Sequence, residues 1–303
     1  MTENYESYKN ENPPKIAGGG GAEVLEKIPA EKITPKLIAL DLDDSLLNND
    51  LHISDRTVEA LKKAAAQKIY IVICSGRAPA AILPFVRRLD LAGLEQGRYA
   101  IASNGSVILD LRERREIYSA KVSGDVLVRA NRAAADLGLP SQVYSSSTIY
   151  AGVDNKYTRM DSQLTGMDLE LVENYDEFLM QGFSKMIIPG DPKILQGLQK
   201  SLSTELAGKA VVLISKPYFL EALPPNNGKG EAIKILCDRL GINMKNVMAF
   251  GDSMNDESMI VLCGLSVAMS NGMEEIKRAA AFVTRFSNDD DGIADFVEQF
   301  VLI

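Results

Sequence analysis

The feature that most restricts the fold of this chain is a repeated alternation of short apolar runs with segments of helical spacing. Residues 37–42, 69–74 and 99–102 are apolar runs of strand length. Residues 54–67 and 79–89 lie between these runs and place their apolar side chains on one helical face. Strands that alternate with helices in this way predict an α/β fold, in which helices cover both faces of a parallel sheet.

The same alternation returns in the C-terminal third of the chain. Residues 229–240 have helical spacing, and residues 247–250 form another apolar run. The stretch between the two parts mixes short strand and helix patterns without long buried runs, which is typical of a small α+β domain. We therefore expect a Rossmann-like core built from residues 36–117 and 219–303, with an inserted α+β domain at residues 118–218.

The first 35 residues differ from the rest of the chain in composition. They include a polar stretch with prolines at residues 10–15 and four consecutive glycines at residues 18–21. Such a segment cannot bury enough apolar surface to offset the entropy that it would lose on ordering. The sequence predicts that residues 1–35 form a flexible N-terminal leader.

Charge and hydropathy exclude several classes of partner. The formal net charge of −8 disfavours binding to nucleic acid or to anionic lipid. The chain begins without an apolar run and has no stretch of about 18 apolar residues, so we expect no signal peptide and no membrane span. The three cysteines are too few and too scattered for a disulfide framework or a zinc site. These observations together predict a cytoplasmic protein.

The metal-binding chemistry open to the chain is narrow. His52 is the only histidine, so a histidine-rich metal site is excluded. Any bound metal would be held by oxygen ligands, which favours Mg²⁺ or a similar hard ion. An acidic chain also repels a phosphorylated substrate unless a cation and local donors reverse the field at the site.

Polar residues follow the first two predicted strands, at the edge of a parallel sheet where ligands bind. Asp41 and Asp43 are two positions apart, so in extended chain both side chains project to the same side. Ser75, Gly76 and Arg77 precede a helix, where a hydroxyl and free backbone amides can cradle a phosphate. Taken singly, the first segment could equally be an acidic turn, and an ordinary serine N-cap is the favoured interpretation of the second.

Two later segments extend the same pattern. Lys229 lies between two glycines at a helix start, where its ammonium can reach a phosphate oxygen, although a solvated lysine is the simpler interpretation. Asp252, Asn255 and Asp256 follow the strand at residues 247–250 and suggest a site for a hard metal, with a capped turn as the alternative. The order of these groups along one sheet favours a functional site over the simpler interpretations. It is a carboxylate pair, a hydroxyl, a lysine and a second carboxylate pair.

In this order of motifs, residues 36–303 resemble the haloacid dehalogenase superfamily, and more narrowly the Cof-type metabolite phosphatases with a large α/β cap. Three further segments match the habits of that subfamily, namely Ser103–Gly105, Val267–Met269 and Asn288–Gly292. The resemblance implies a Mg²⁺-dependent hydrolase acting on a small phosphorylated metabolite, such as a sugar phosphate or a cofactor phosphate, through an aspartyl-phosphate. It also implies that the inserted domain is a cap that closes over the site.

The resemblance assigns roles to the motif residues. Asp41 resembles the nucleophile, and Asp43 resembles the general acid that later activates water. Ser75 and Lys229 resemble the groups that hold the transferring phosphoryl. Asp252 resembles a Mg²⁺ ligand, joined by Asp41 and the backbone carbonyl of Asp43.

Further residues complete the predicted site. Asp256 is placed with the metal group as a carboxylate that orients Lys229 or metal-bound water. Contacts to phosphate or substrate are expected from five further residues, namely Ser45, Gly76, Arg77, Asn104 and Asn255. In the cap, the loops contain five polar or aromatic candidates, namely Tyr144, Tyr150, Asp154, Tyr157 and Arg159.

One departure from the family pattern concerns the first motif. The usual pair after the second aspartate is Gly-Thr, whereas this chain has Asp44 and Ser45. Ser45 keeps a hydroxyl, but Asp44 adds a negative charge near the phosphate. At about 4 Å such a charge costs roughly 1–4 kcal/mol in watery to surface-like surroundings. We hypothesise that Asp44 weakens the activity somewhat.

Two other functions use the same residues. A phosphotransferase or phosphomutase would keep the nucleophile and accept a sugar hydroxyl in place of water. A metabolite-binding relic would keep the site without turnover. We rank hydrolysis first on family analogy alone. A receiver domain phosphorylated on aspartate is excluded, because it is about half as long as this chain and has no inserted domain.

Overall fold

The computed structural model describes residues 27–145 and 147–303, which form two sheets. The larger sheet has the strand order β14-β13-β12-β1-β2-β3-β4-β5 in this part of the chain. Its strands are β1 (Leu37–Asp41), β2 (Tyr70–Cys74), β3 (Tyr99–Ala102), β4 (Val107–Asp110), β5 (Arg115–Ser119), β12 (Val247–Gly251), β13 (Leu265–Ala268) and β14 (Phe282–Val283).

Six neighbouring strands of the larger sheet, from β14 to β3, run parallel, which confirms the predicted α/β core. The edge strands β4 and β5 are antiparallel, and the sequence analysis did not predict them. The reason is visible in β5, whose side chains are half-buried or exposed and include Arg115 and Glu116. An edge strand with charged side chains lacks the apolar run by which a buried strand is recognised.

Helices cover both faces of the larger sheet, as predicted. They are α1 (Asp55–Ala66), α2 (Pro79–Leu89), α7 (Lys229–Leu240), α8 (Glu257–Leu262), α9 (Glu274–Ala279) and α10 (Gly292–Phe300). Ile38 and Leu40 of β1 pack with α1, α2 and α10, whereas Leu37 and Ala39 pack with α7 and α8. Successive residues of a strand point to opposite faces of the sheet. Because helices cover both faces, all four side chains are buried.

The second sheet has the strand order β10-β11-β9-β6-β7-β8, and most of its neighbouring strands are antiparallel. Its strands are β6 (Gln142–Tyr144), β7 (Thr148–Ala151), β8 (Asp168–Leu171), β9 (Met186–Pro189), β10 (Val211–Lys216) and β11 (Phe219–Leu223). The helices of this part are α3 (Gly124–Ala135), α4 (Lys156–Thr165), α5 (Tyr175–Leu179) and α6 (Pro192–Glu205). We call residues 120–223, which contain this sheet, the cap. The cap sheet includes β11, so the cap extends past residue 218, where the sequence analysis placed its end.

One face of the cap sheet packs on α3, α5 and α6 through a cluster of buried apolar side chains. The opposite face turns towards the core. There, Tyr144, Ile187 and Phe219 of the cap share an apolar cluster with Ala78 and Ala81 at the start of α2. This contact brings the cap sheet over the carboxyl ends of the core strands.

Residues 27–35 belong to the predicted leader, yet Lys27 is bonded to the core. The Lys27 carbonyl accepts a hydrogen bond from the Val283 N–H at 2.7 Å. The Lys27 ammonium donates at 2.9, 3.0 and 3.1 Å to three backbone carbonyls near the end of α9, those of Lys277, Arg278 and Ala280. The last carbonyls of a helix have no hydrogen-bond partner within the helix, and a lysine ammonium can donate hydrogen bonds to them. Composition did not indicate this contact, and residues 1–26 lie outside the described residues.

Among the described residues, every helix falls short of the length and apolar content that crossing a bilayer demands.

Candidate active site

Three adjacent parallel strands, β12, β1 and β2, end at the same edge of the core sheet. Asp41 is the last residue of β1, Ser75 follows β2 directly, and Asp252 follows β12 directly. The predicted site residues therefore meet because they occupy equivalent strand ends, as ligand-binding residues of open parallel sheets do.

The turn after β1 is irregular and sets the directions of the acidic side chains. Asp43 keeps an extended backbone, with φ −77° and ψ 127°, whereas Asp44 is left-handed, with φ 62° and ψ 9°. The turn closes with a 2.9 Å hydrogen bond from the Leu47 N–H to the Leu42 carbonyl. Ser45 is buried, and its hydroxyl donates to Asp252 Oδ1 at 3.0 Å.

Lys229 is fully buried between two carboxylates. Its ammonium donates to Asp41 Oδ1 and, at 2.6 Å, to Asp256 Oδ1. Asp256 Oδ2 accepts from the backbone N–H groups of Asp252 at 2.9 Å and Ser253 at 3.1 Å. Burial alone would lower the pKa of Lys229, but the charges of Asp256 and Asp41 outweigh it and raise that pKa. The lysine is therefore a permanent cation at the end of β1.

Three buried carboxylates crowd around this lysine. One oxygen from each of Asp41, Asp252 and Asp256 lies within 4.8 Å of the others. Burial, followed by repulsion from Asp256, raises the pKa of Asp252 to about 7. The same two causes raise the pKa of Asp41, against the opposing charge of Lys229. The raised pKa values reflect mutual repulsion in an all-oxygen cluster, and a hard divalent cation bound to these oxygens would relieve it.

Asp43 stands apart from this cluster and pairs with Arg77. The guanidinium donates to Asp43 Oδ2 from Nε at 3.0 Å and to Oδ1 from Nη2 at 2.6 Å. Burial raises the pKa of Asp43, but hydrogen bonding and charge from Arg77 outweigh burial and hold the pKa below its ordinary value. In this arrangement Asp43 is ionised, and Arg77 is not free for phosphate.

The loop after β2 is tied to the loop after β3. Ser75 is fully buried, and its hydroxyl accepts a 3.1 Å hydrogen bond from the Arg77 N–H. The Asn104 N–H donates to the Ser75 carbonyl at 3.0 Å. The Asn104 side chain is bonded on both sides, since its Nδ2 donates to Glu221 at 2.8 Å and its Oδ1 accepts from Asn255 at 3.2 Å. Asn104 therefore joins the cap strand β11 to the core site.

A cavity of about 220 Å³ lies between the core edge and the cap. Five predicted site residues line it, namely Asp41, Asp43, Gly76, Arg77 and Asn255. The other six lie buried behind its wall, namely Ser45, Ser75, Asn104, Lys229, Asp252 and Asp256.

Of the five cap candidates from the sequence, Tyr144 lines the cavity. Asp154 and Arg159 pair with each other at 2.7 and 2.6 Å instead, and Arg159 is exposed. Tyr150 packs against Phe178, with ring centroids 4.9 Å apart and ring planes tilted by 51°.

Sequence analysis missed several cap residues in the cavity wall, among them Asp161, Lys185, Lys216 and Glu221. A signal existed for two of them. Residues 184–189 and 211–216 have the pattern of short strands; Lys185 lies in the first of these segments, and Lys216 ends the second. A lysine at the end of an apolar run is a candidate for a ligand contact, as are the polar residues that follow the core strands.

Comparisons with known proteins agree with this geometry. Residues 38–297 match the family model described as haloacid dehalogenase-like hydrolase. A protein of Streptococcus pyogenes serotype M6 that is named a phosphatase is 31% identical over 269 residues, covering 88% of this chain and 98% of that protein. A 5-amino-6-(5-phospho-D-ribitylamino)uracil phosphatase of Bacillus subtilis is 28% identical over 283 residues, with 88% and 98% covered.

A solved structure shows the same arrangement of the chain. The crystal structure of a haloacid dehalogenase-like hydrolase from Bacteroides thetaiotaomicron is 31% identical and superimposes with a TM-score of 0.78. The match covers 88% of this chain and 99% of that one, so it includes both the core sheet and the cap.

Proposed function

The chain belongs to the haloacid dehalogenase-like hydrolases and is a phosphatase, and we propose that it cleaves a small phosphorylated metabolite through a phosphoenzyme on Asp41, with Mg²⁺ as cofactor. The observation that carries this proposal is the position of Asp41. Its carboxylate lines the cavity and also touches the buried ammonium of Lys229. A nucleophile beside a fixed cation is suited to attack an anionic phosphate.

In the first step, a carboxylate oxygen of Asp41 attacks phosphorus as the ester P–O bond breaks. Asp43 gives a proton to the departing oxygen. In the second step, Asp43 takes a proton from water, the water oxygen attacks phosphorus, and the bond to Asp41 breaks. The products are inorganic phosphate, the free alcohol and the starting enzyme, so one hard displacement becomes two easier ones.

The pair of Asp43 and Arg77 bears on the proton transfer. While paired, Asp43 is ionised and has no proton to give. Arg77 lines the same cavity as Asp41, so a bound phosphate competes with Asp43 for the guanidinium. We propose that substrate binding draws Arg77 to the phosphate and lets Asp43 take up its proton.

The cation would be held by Asp41, Asp252 and the backbone carbonyl of Asp43. Both oxygens of Asp256 are already bonded, to Lys229 and to two backbone N–H groups, so Asp256 supports the cluster rather than completing it. Bound Mg²⁺ supplies positive charge that lets a carboxylate and a phosphate approach each other.

The size of the cavity bears on the substrate. Its volume of about 220 Å³ is below the roughly 300–1,000 Å³ of pockets for drug-sized ligands. This favours a compact metabolite such as a sugar phosphate over a flavin or another large cofactor phosphate.

Hydrolysis of 4-nitrophenyl phosphate by the full chain tests the proposal. We expect activity with Mg²⁺, its loss after chelation, and a fall of roughly 10³–10⁶-fold in Asp41→Asn. Asp238→Asn, an exposed carboxylate on α7, is the matched control and should keep full activity. Acid-quenched wild type should carry one phosphoryl group on Asp41. Full activity in Asp41→Asn would overturn the mechanism. An inactive wild type would support the alternative of a metabolite-binding protein without turnover.

Transfer to another acceptor is distinguished by product analysis. Release of inorganic phosphate should be unchanged when a sugar acceptor is added. Faster formation of a new phosphate ester than of inorganic phosphate would assign the chain to the phosphotransferases instead.

A further inference from the structure

Lys185 is a buried cation in the cap that faces the cavity without an ion-pair partner among residues 27–145 and 147–303. It is 4% exposed, and it lines the cavity directly before β9. Its ammonium donates to the Gly76 carbonyl at 2.9 Å and lies 4.3 Å from the ring centroid of Tyr144. An ammonium has three donors, so this side chain retains donor capacity on the cavity side.

A buried charge is costly unless it is paired. Lys229, the other buried lysine of the site, contacts two carboxylates. Lys185 contacts a neutral carbonyl and an aromatic face in their place, and its charge acts on Asp161, where it opposes the rise in pKa that burial causes. Side chains left in this state inside a ligand cavity indicate that part of their bonding is completed by the ligand.

Asp161 provides an acceptor in the same part of the wall. Its Oδ2 accepts from Gln142 Nε2 at 2.7 Å and from the Tyr144 hydroxyl. In the described part of the chain its Oδ1 has no hydrogen-bond partner, and Asp161 lines the cavity while only 4% exposed. Gln142 also donates to the Tyr144 oxygen at 2.7 Å, which fixes the orientation of both partners.

The donor and the acceptor are anchored on separate elements of the cap. Lys185 directly precedes β9, Tyr144 ends β6, and Asp161 lies on α4. None of these side chains is among the predicted phosphate-binding residues, although Lys185 donates to the carbonyl of Gly76, which is one of them. A substrate whose phosphorus lies at Asp41 therefore presents its alcohol part to the cap.

We propose that Lys185 and Asp161 determine specificity for the leaving group, by donating to one of its oxygens and accepting from one of its hydroxyls. This rests on the proposed function, since it takes Asp41 as the point of attack. The subsite carries one positive and one negative charge, so it suits an uncharged, hydroxyl-bearing leaving group. A leaving group with a second phosphate would bring an unbalanced charge into a buried wall.

The test compares two kinds of substrate in the same variants. One is 4-nitrophenyl phosphate, which has no hydroxyl on its leaving group. The other is the best substrate from a panel of hexose, pentitol and glycerol monophosphates. For that substrate, Lys185→Met and Asp161→Asn should each lower kcat/KM by about 10- to 100-fold, the range for a lost hydrogen bond to a charged group. The fall for 4-nitrophenyl phosphate should be much smaller.

Two exposed cap residues offer matched controls. Lys156 lies 4.8 Å from the Tyr157 ring centroid, so Lys156→Met removes a lysine with the same kind of ring contact. Asp154→Asn removes an exposed carboxylate bonded to Arg159. Both should leave both substrates unaffected. Circular dichroism checks the fold of each variant, and Tyr144→Phe, which loosens Asp161, serves if Lys185→Met does not fold.

An equal loss for both substrates would overturn the proposal, because it would mean that Lys185 acts only by holding the Gly76 loop. A wild type that hydrolyses 4-nitrophenyl phosphate but prefers no panel member to it would also overturn the proposal. Neither result touches the role of Asp41, which Asp41→Asn tests separately.

Discussion

The side chains of Asp44 and Lys216 join the core to the cap, with Asp44 Oδ2 lying 2.7 Å from Lys216 Nζ. Asp44 occupies the position where the family pattern usually has glycine, and its backbone is left-handed at φ 62°. Burial lowers the pKa of Lys216, but the hydrogen bond and charge of Asp44 outweigh it and raise that pKa. The sequence-based hypothesis treated Asp44 as an uncompensated charge, whereas the structure gives it a cationic partner.

This pair predicts a small coupled effect on activity. Asp44→Gly suits the left-handed backbone and removes only the carboxylate, and Lys216→Met removes the ammonium. Partly exposed pairs contribute about 0.2–1 kcal/mol, so each variant should lower kcat/KM by up to about fivefold by loosening cap closure. The double variant should be no worse than either single one, and the effect should shrink in high salt. Additive losses would show that the two side chains act independently.

The carboxylate cluster predicts a metal-dependent stability. Asp41, Asp252 and Asp256 repel one another, and a cation bound to the folded state relieves that repulsion. Mg²⁺ at 100 times its Kd should stabilise the wild type by about 2.7 kcal/mol, measured as a rise in Tm.

Asp252→Asn removes one carboxylate from the crowd and provides the comparison. It should be more stable than the wild type without metal and should lose the response of Tm to Mg²⁺. An unchanged response would mean that the cluster is not the metal site.

Substitution of Gly105 by alanine should cause a packing defect that extends to Lys229. The φ of Gly105 is +95°, and a Cβ built there would lie 2.1 Å from the carbonyl oxygen of Gly228, the residue before Lys229. Gly105→Ala should therefore displace the start of α7 and lower both Tm and kcat. Gly241→Ala is the control, since Gly241 also has a positive φ, +67°, but has open space around it.

The two glycine variants separate strain from collision. Gly241→Ala should cost only the backbone strain of about 1–3 kcal/mol and leave kcat unchanged. Equal effects on kcat in both variants would contradict the close approach as the cause.

The hydrogen bonds of Asp110 should account for part of the loss of stability at acid pH. Asp110 Oδ2 accepts from Arg98 at 2.9 and 2.7 Å, and Oδ1 accepts from the N–H groups of Arg112 and Glu113. The hydrogen bond from Arg98 is the main cause that lowers the pKa of Asp110. A lowered folded-state pKa means that this stability is present above the unfolded pKa of about 3.9 and is lost as pH falls through the folded value.

Asp110→Asn should therefore lower the free energy of unfolding at pH 7 by about 1.5–3 kcal/mol. It should also flatten the loss of stability below about pH 4. Urea unfolding across pH measures both. Asp168→Asn, an exposed carboxylate, should change neither, and a parallel acid profile in Asp110→Asn would contradict the assignment.

Local patterns accounted for the core strands and for the motif residues at their ends. β1, β2 and β12 are buried on both faces, so their apolar runs are continuous and their ends are marked by acidic or hydroxyl residues. α4 was not predicted, because residues 156–165 are mostly polar and only Thr158 and Asp161 are buried. The helix that carries Asp161 therefore lacked the apolar stripe from which helices are recognised.

The sequence by itself determined the α/β core and the edge of the sheet where chemistry would occur, because both follow from periodicity within short windows. Only the tertiary structure decided which cap side chains reach that edge. Lys216 meets Asp44 across 172 positions, and Lys185 meets Gly76 across 109. Such pairs depend on strand register and on how the cap packs over the core, and these are sums of many distant contacts that no local pattern encodes.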